Sequence, residues 1–358
     1  MKKKILYIIN DLGIGGAQRL LYDLLRELDK THFEPYIINL NFDRSKILEK
    51  EIILLGVPVF NFRSWHIGDF RSIWYIYKII KKYHFDIVHT HLCLASLFGT
   101  LAAKTAGVKK IISSEHNTTT FKSRNLYKIA AHIFLNLNTK SIAISKAVKE
   151  SIYEMSPYLS KKVQVIYNGI DTKTFDSKIH NITSTAYSHQ FSIGTLVRND
   201  PRKGFGLFIE CASQLKAMQP DLRFCAAASD NFNVPNSCID FVSLDGTSKS
   251  VARYLASLDV FLLPSLEEGL GLVAIEAMAL GIPVIASNVG GLKEVITHNE
   301  NGLLVNPGDV NGFIKAVLWI KHNQGHAQSL ASRGQQKVTR IFTLDRMAKE
   351  IQNLYLGL

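Results

Sequence analysis

The sequence predicts an α/β protein made of two doubly wound domains. Short runs of β-branched residues alternate with apolar residues at helical spacing along the whole chain, which is typical of parallel sheets covered by helices. A polar stretch at 176–190 interrupts this alternation, which then starts again. A chain of 358 residues is also long enough for two cores, because single cores rarely grow beyond about 250 residues. We therefore expect an N-terminal domain at 1–175, a linker at 176–190 and a C-terminal domain at 191–342.

Each element follows from the local period of its apolar residues. The first run, 5–9, predicts a strand, and the leucines from Leu20 to Leu28 predict the helix after it. The other strands of the first half are predicted at 36–40, 57–60, 86–89, 110–114, 141–144 and 163–167. In the second half, strands are predicted at 191–197, 223–228, 239–242, 260–263, 283–286 and 303–305. A helix fits between consecutive strands, so both sheets are expected to be parallel.

The composition excludes several classes of protein. Charged residues make up 20% of the chain and there is no low-complexity tract, so the chain is globular. The four cysteines lie far apart without a CxxC pair, which favours reduced thiols over a disulfide or zinc site. The apolar run at the start ends at Asn10, too short for a signal peptide, and no run approaches the roughly 18 apolar residues of a membrane helix. We expect a cytoplasmic protein.

The positive charge is confined to one half of the chain. Residues 1–175 contain 26 Lys and Arg against 14 Asp and Glu, whereas residues 176–358 contain 16 of each. The whole net charge of +12 therefore belongs to the first half. Such asymmetry indicates different partners for the two halves. Nucleic acid is not expected, because no recognised nucleic-acid motif is present and the charge is dispersed.

The segment at 264–287 contains a predicted anion site. A strand ends at its start, Gly269 and Gly271 follow, and a helix is predicted from Leu272 to Leu280. Glycines before a helix let backbone N–H groups approach a phosphate, and the helix dipole favours an anion there. In tandem doubly wound domains the carboxyl ends of the two sheets are expected to face a common cleft, where ligands bind.

Two carboxylates flank this predicted anion site. Glu268 lies in the loop, and Glu276 lies on the helix among apolar neighbours. Carboxylates accept paired hydrogen bonds from vicinal hydroxyls, such as those of a ribose or a hexose. The pattern therefore favours a ligand role, and the alternative is that Glu276 is a solvated helix residue.

Two cations follow the first strand of the second half. Arg198 and Lys203 are separated by a predicted turn, so they could converge on a diphosphate. The alternative is a solvated basic loop, which is the commoner role of surface cations.

The first strand-to-helix turn, 11–18, resembles a dinucleotide-binding fingerprint but lacks its third glycine. Gln18 stands in that position after Gly13 and Gly15, so NAD binding is not expected. Gly15 and Gly16 are expected to face the cleft, where they could contact donor phosphates or the acceptor.

Three histidines lie at or near strand ends. His89 and His91 flank the end of one predicted strand, and His116 follows another. No carboxylate or cysteine completes a metal set, so these are structural histidines or ligand contacts. His116 is the preferred candidate, because sites of parallel sheets are built at strand carboxyl ends.

These residues resemble the signatures of glycosyltransferase family 4, a group of retaining enzymes with the GT-B fold, many of which build bacterial cell-surface polysaccharides. Glu268 to Glu276 is similar to the EGxGxxxxE signature, and Arg198 with Lys203 matches the R-x4-K pair. The further matches are GGAQRL from Gly15, IISSEHN ending at Asn117, AISKAVKESI from Ala143, VIYNGIDTKTF ending at Phe175, GGLKEVI from Gly290 and NGLLVNPGD ending at Asp309. Val197 and Ser243 stand at positions where the family often has glycine. These differences concern the fine geometry of donor binding and not the presence of the site.

The resemblance implies a role for each site residue. Arg198 and Lys203 would bind the donor diphosphate, and Glu276 the nucleotide ribose. Glu268 would hold the transferred sugar. The backbone groups of Gly269, Gly271 and Leu272 would assist Glu268, His116 would contact the sugar, and Gly15 and Gly16 would line the cleft. No metal is expected, since two cations and a helix end would take the place of a divalent ion. No cofactor is expected either, and the donor substrate would be a UDP- or GDP-sugar. A C-terminal helix at about 343–358 is expected to pack back on the N-terminal domain.

The resemblance also concerns the acceptor, which family members bind with the first half. Positive charge there suits a polyprenyl-diphosphate-linked acceptor or peripheral contact with the anionic inner face of the cytoplasmic membrane. The stretch 65–85, with Lys78, Lys81 and Lys82 among aromatics, is either an ordinary packed helix or such an interfacial contact. Alternatives are a GT-B enzyme acting on a soluble sugar or protein, and a donor-binding subunit without activity.

Overall fold

The computed structural model describes residues 2–13, 15–41, 48–66, 68–118, 125–176, 190–198, 200–229 and 238–358. Contacts divide the chain into two compact units. The first unit runs to Gly169 and includes Leu344–Leu358, and the second unit is Ile170–Thr343. All but the two end residues of the predicted linker at 176–190 lie outside the described residues.

The first unit is built on a parallel sheet of seven strands in the order β3-β2-β1-β4-β5-β6-β7. Their bounds are β1 Lys3–Ile9, β2 Phe33–Asn39, β3 Val59–Asn61, β4 Ile87–His91, β5 Lys110–Glu115, β6 Lys140–Ala143 and β7 Val163–Val165. Strand β1 pairs with both β2 and β4, so the strand order reverses there. Such a switch point is where doubly wound sheets bind ligands.

Helices cover both faces of this sheet. They are Gly16–Glu27, Glu49–Leu54, Arg71–Tyr83, Cys93–Thr105, Asn125–Leu137, Lys146–Met155 and Pro157–Ser160, joined by the C-terminal helix Leu344–Gly357. Leu21 and Leu25 of the first helix lie in one core cluster with Met347 and Tyr355 of the C-terminal helix. The chain therefore returns to the first unit at its end because the last helix has an apolar face that this core buries.

The second unit contains a parallel sheet of six strands in the order β10-β9-β8-β11-β12-β13. The bounds are β8 Ser192–Leu196, β9 Arg223–Ala228, β10 Asp240–Ser243, β11 Val260–Leu263, β12 Val284–Ser287 and β13 Leu303–Val305. The helices are Phe205–Met218, Ser248–Ala256, Leu272–Ala279, Leu292–Val295, Val310–His322 and Gln324–Ile341, with a 3-10 turn at Pro201–Lys203. Strand β8 lies between β9 and β11, at the switch point of this sheet.

Within the described residues, every predicted strand is present and both sheets are parallel, as predicted. Strand β2 begins at Phe33, three residues before the predicted start, and so includes Pro35. The boundary between the units also differs, because 170–175 lies with the second unit. Ile170 forms a bridge with Thr343 there, and its N–H donates to the carbonyl of Phe342 at 2.9 Å.

Candidate functional site

An acidic loop after β11 meets a basic turn after β8 in the second unit. The acidic loop comprises residues 264–271, and the basic turn comprises residues 198 and 200–204. The Nζ atom of Lys203 donates to Oε1 of Glu268 at 2.6 Å, and these side chains are 28% and 13% exposed. The hydroxyl of Ser265 also donates to this oxygen, at 3.3 Å. The structure therefore brings together two of the predicted site residues.

Backbone contacts hold the acidic loop against the basic turn. The N–H of Leu266 donates to the carbonyl oxygen of Arg202 at 2.7 Å. Gly204 has a φ of +71°, and a Cβ atom there would lie 1.9 Å from the carbonyl oxygen of Pro264. No side chain fits at that distance, so glycine is required where the two segments meet. The backbone thus fixes the position of the ion pair.

Arg202 is a charged residue that the sequence patterns did not single out. Its guanidinium forms a bidentate pair with Asp200, with Nη2 2.7 Å from Oδ2, and lies 3.9 Å from the carboxylate of Glu267. This hydrogen bonding holds the pKa of Asp200 below its ordinary value. Arg202 is therefore engaged by Asp200 and Glu267, while Lys203 pairs with Glu268.

Two glycines from the next loop pack on the backbone of the acidic loop. The N–H of Gly291 donates to the carbonyl oxygen of Glu268 at 3.1 Å. A Cβ atom at Gly290, whose φ is +47°, would lie 2.0 Å from the same oxygen. The GG pair after β12 therefore supports the backbone of Glu268, a role that its sequence position alone does not reveal.

The helix Leu272–Ala279 starts directly after the acidic loop, one residue shorter than predicted. Gly271 precedes it, and no side chain caps its first turn. Uncapped N–H groups together with the helix dipole attract anions. Glu276 lies one turn along, half-buried between buried apolar neighbours. Gly269 is buried in the preceding loop.

Arg198 is the fourth of the predicted charged residues in this unit. It is the second residue after the end of β8, and its side chain is exposed. Strands β8 and β11 are parallel neighbours, so Arg198 and the acidic loop lie at the same edge of the sheet. This edge carries both cations, Glu268 and the uncapped helix start, and Glu276 lies one turn along that helix.

The Gly-rich turn of the first unit is closed by a side chain instead of a third glycine. Oδ1 of Asp11 accepts hydrogen bonds from the N–H of Gly13 and from Nε2 of Gln18, both at 2.9 Å. A Cβ atom at Gly15 would lie 1.9 Å from Oε1 of Gln18. Gly15 is buried, and Gly16 is exposed at the helix start. Gln18 thus occupies space that a dinucleotide fingerprint would leave open.

Of the three histidines, His89 is part of a buried network. Its Nδ1 lies 2.6 Å from the hydroxyl of Tyr355, and its Nε2 lies 2.8 Å from Oγ of Ser114. The Tyr355 hydroxyl in turn donates to that of Tyr7 at 3.1 Å. Burial lowers the pKa of His89 to about 3, so the ring is neutral at pH 7. Both ring nitrogens are engaged, which identifies His89 as a structural residue that ties the C-terminal helix to the sheet.

His91 and His116 form a second pair at the carboxyl ends of β4 and β5. Nδ1 of His91 lies 3.3 Å from Nε2 of His116. Burial lowers the pKa of His116 to about 4 and that of His91 well below its ordinary value. Burial also raises the pKa of the adjacent Glu115 carboxyl to about 7. Both histidines are therefore neutral at pH 7.

Three further features concern the described part of the chain as a whole. It contains no group of three or more His, Cys, Asp or Glu side chains that could hold a metal ion. Among the same residues, no helix combines the length and the apolar character that a membrane span requires. All four cysteines are free thiols.

Family models match both halves of the chain. The model described as Glycosyltransferase Family 4 matches residues 14–174, and the model described as Glycosyl transferases group 1 matches residues 190–323. Together they include all of the predicted site residues.

Individual proteins are similar over nearly the whole length. The chain is 26% identical over 369 residues to UDP-Gal:alpha-D-GlcNAc-diphosphoundecaprenol alpha-1,3-galactosyltransferase of Escherichia coli, covering 96% of this chain and 94% of that protein. It is 24% identical to N-acetyl-alpha-D-glucosaminyl L-malate synthase of Bacillus anthracis, with the same coverage. The crystal structure of Anabaena HepE in complex with UDP-glucose has the same fold, with a TM-score of 0.83 at 18% identity, covering 99% of this chain and 100% of that one.

Proposed function

The chain belongs to the family 4 glycosyltransferases and has their GT-B fold, and from this premise we propose that it transfers a sugar from a nucleotide-diphosphate sugar to a hydroxyl of a glycan or lipid-linked acceptor. The observation that carries the proposal is the Lys203–Glu268 pair beside an uncapped helix start. A cation for phosphate and a carboxylate for sugar hydroxyls lie side by side there.

The donor diphosphate binds where positive charge converges. Arg198 and Lys203 supply two cations at the edge of the second sheet, and the N–H groups at Leu272 supply the helix terminus. A UDP-sugar or a GDP-sugar could bind to these groups, because they contact the diphosphate and do not select the base.

The two carboxylates bind the two sugars of the donor. Glu268, with the backbone of Gly269 and Gly271, holds the transferred sugar, and Glu276 binds the ribose. Since Lys203 is the hydrogen-bond partner of Glu268, donor binding exchanges this ion pair for one contact to phosphate and one to sugar.

We propose that transfer proceeds with retention and without a metal ion. The acceptor oxygen forms its bond to the anomeric carbon on the face from which the diphosphate leaves, and the acceptor proton passes to a diphosphate oxygen. Arg198, Lys203 and the helix start stabilise the charge that grows on the leaving group. His116 contacts the sugar near the reacting carbon, and Gly15 and Gly16 lie on the acceptor side.

The acceptor is proposed to be a polyprenyl-diphosphate-linked or other cell-envelope glycan, as in polysaccharide or lipopolysaccharide biosynthesis. The net charge of +12 on residues 1–175 suits an anionic acceptor. The name of the Escherichia coli relative states a diphosphoundecaprenol acceptor for that protein. One alternative is that the acceptor is a soluble sugar or a protein. The other is that the chain is a subunit that binds the donor but has no transferase activity.

A surface of the first unit supports peripheral contact with the cytoplasmic face of an anionic membrane. We call it the aromatic-basic face, and it consists of Trp65, Phe70, Trp74, Lys78, Lys81 and Lys82. Trp65 is 71% exposed, Phe70 is 72% exposed and Trp74 is 60% exposed. Ile76 and Ile80, on the opposite side of the same helix, lie in the core. Exposed Trp and Lys side chains on one face are typical of helices that lie in a membrane interface.

A ligand screen tests the proposed donor. We expect a UDP- or GDP-sugar to raise the melting temperature of the protein, because a ligand that binds only the native state stabilises it by about 2.7 kcal/mol at a hundred times its Kd. Uridine and guanosine are the matched controls, since they have the base and the ribose but no diphosphate for Arg198 and Lys203 to bind. If no UDP or GDP compound raises the melting temperature, the proposed donor site is wrong.

A further inference from the structure

His91 and His116 share a contact that the proposed roles do not explain. His91 is the last residue of β4, and His116 follows β5, which is the parallel neighbour of β4. Their ring centroids lie 5.5 Å apart, with Nδ1 of His91 3.3 Å from Nε2 of His116. Both rings are neutral at pH 7, so one of the two nitrogens carries the proton and the other accepts it.

The other nitrogen of His91 decides which ring donates. His91 is 1% exposed, and its Nε2 has no hydrogen-bond partner among the described residues. If His116 donated, His91 would carry its own proton on this buried, unpartnered Nε2. A buried N–H without an acceptor is rarer and costlier than an acceptor nitrogen without a donor. In the favoured arrangement, His91 therefore carries its proton on Nδ1, donates it to Nε2 of His116, and has an unprotonated Nε2.

The neighbouring ring does not offer an alternative partner. His89 lies 4.5 Å from His91 between ring centroids, but both of its nitrogens are engaged by Tyr355 and Ser114. Among the described residues, His116 is therefore the one side chain to which the ring of His91 is hydrogen-bonded.

We propose that His91 is a positioning residue that holds His116 as a neutral imidazole with its proton on Nδ1. His116 then presents an N–H donor to an oxygen of the bound sugar and does not act as a general base. This inference rests on the proposed function and deepens it. The proton of the acceptor hydroxyl leaves with the diphosphate oxygen, as the bond to the anomeric carbon forms and the bond to the diphosphate breaks.

The tautomer is tested on the free protein. Full-length chain labelled with ¹⁵N-histidine is studied by long-range ¹H–¹⁵N NMR at pH 7, and the signals of His116 are assigned by their loss in His116→Gln. We expect a protonated Nδ1 and an unprotonated Nε2 for His116, and the same tautomer for His91. A His116 that carries its proton on Nε2, or on both nitrogens, overturns the proposal whatever the activity.

Variants test whether this contact matters for transfer. His91→Asn keeps an amide donor near the position of Nδ1, whereas His91→Leu removes it. With the nucleotide sugar found in the ligand screen, we expect His91→Leu to lower kcat about 10- to 100-fold with little change in the donor KM, and His91→Asn to restore most of the loss. Equal losses in both variants overturn the proposal.

A matched control separates positioning from packing. His89→Leu removes a ring of the same size from the same strand, so we expect a lower melting temperature but an unchanged His116 tautomer and kcat. A His89→Leu variant that lowers kcat as much as His91→Leu does would show a packing effect and overturn the proposal. Absence of transfer by the wild-type chain would contradict the proposed function instead, and the NMR result would still decide the role of His91.

Discussion

The hydrogen bond between Lys203 and Glu268 is the residue-scale feature on which the donor site depends. In the proposed site, it joins two groups that bind different parts of the donor. The ammonium of Lys203 binds phosphate, and the carboxylate of Glu268 binds sugar hydroxyls. The neighbouring Arg202 has the same charge but is paired with Asp200 instead of Glu268. These two cations therefore form a natural pair for comparison.

We predict that Lys203→Ala weakens the binding of UDP or GDP about 10- to 100-fold, as expected for the loss of a charge-assisted hydrogen bond worth about 1.5–3 kcal/mol. Arg202→Ala removes the same charge from the adjacent position and should change the Kd less than about threefold. Isothermal titration calorimetry measures both. An equal loss in the two variants would show that only the general charge of the turn matters.

Glu115 provides a residue-scale prediction in the first unit. Burial raises the pKa of its carboxyl to about 7, and its Oε1 has no partner among the described residues. The folded protein therefore binds a proton more tightly than the unfolded chain, so the stability present below the unfolded pKa near 4.5 is lost as the pH rises toward 7.

Glu115→Gln removes this dependence. We expect the free energy of unfolding of the variant, relative to wild type, to increase between pH 4.5 and 7 by up to about 3 kcal/mol. Urea unfolding at pH 5 and pH 8 measures the difference. A difference between the two proteins that stays constant with pH would refute the assignment.

At the scale of elements, the loop after β12 supports the acidic loop through glycines. Gly290→Ala should displace the backbone of Glu268, because its Cβ would lie 2.0 Å from that carbonyl oxygen. Gly281→Ala is the matched control, since its φ is also positive, at +73°, but the nearest atom to its Cβ is 4.0 Å away.

Both variants should lose about 1–2 kcal/mol of stability from the left-handed backbone alone. We expect only Gly290→Ala to lose sugar transfer as well, by at least about tenfold. Melting temperature and transfer rate, measured side by side, separate the two effects. Equal transfer rates in the two variants would argue against the supporting role of Gly290.

Most elements could be predicted from the sequence, because buried parallel strands are short runs of β-branched residues separated by helical stripes. The predicted start of β2, at residue 36, is three residues too late because proline is typical of strand ends, whereas Pro35 lies inside β2. Contacts between distant segments were not predictable in the same way. The approach of Gly290 to Glu268 and the pairing of His91 with His116 depend on how loops and strands meet in space, which no local period encodes.

The charge asymmetry and the aromatic-basic face belong to the scale of the whole molecule. Residues 70–85 contain no Asp or Glu, so the lysines of this face act together on an anionic surface. The second unit has no net charge to oppose this attraction, since 170–343 contains equal numbers of acidic and basic residues.

We predict that the protein co-sediments with vesicles containing phosphatidylglycerol at low salt, and that salt weakens binding. The double variant Lys78→Glu/Lys81→Glu should bind at least about tenfold more weakly, since each lysine contributes about 1 kcal/mol and the substitution reverses its charge. Lys249→Glu/Lys315→Glu, with the same change of charge on exposed positions of the second unit, is the control. Equal binding by the two double variants would refute a specific role of the aromatic-basic face.

The most direct test of the central claim is sugar transfer by variants of the donor site. With the stabilising nucleotide sugar and a polyprenyl-diphosphate-linked glycan, we predict that Arg198→Ala and Glu276→Ala each lower the rate at least about 100-fold while the melting temperature changes by only a few degrees. The fold should survive because Arg198 is exposed and Glu276 is half-buried. Full transfer activity in both variants would contradict the assignment of the site.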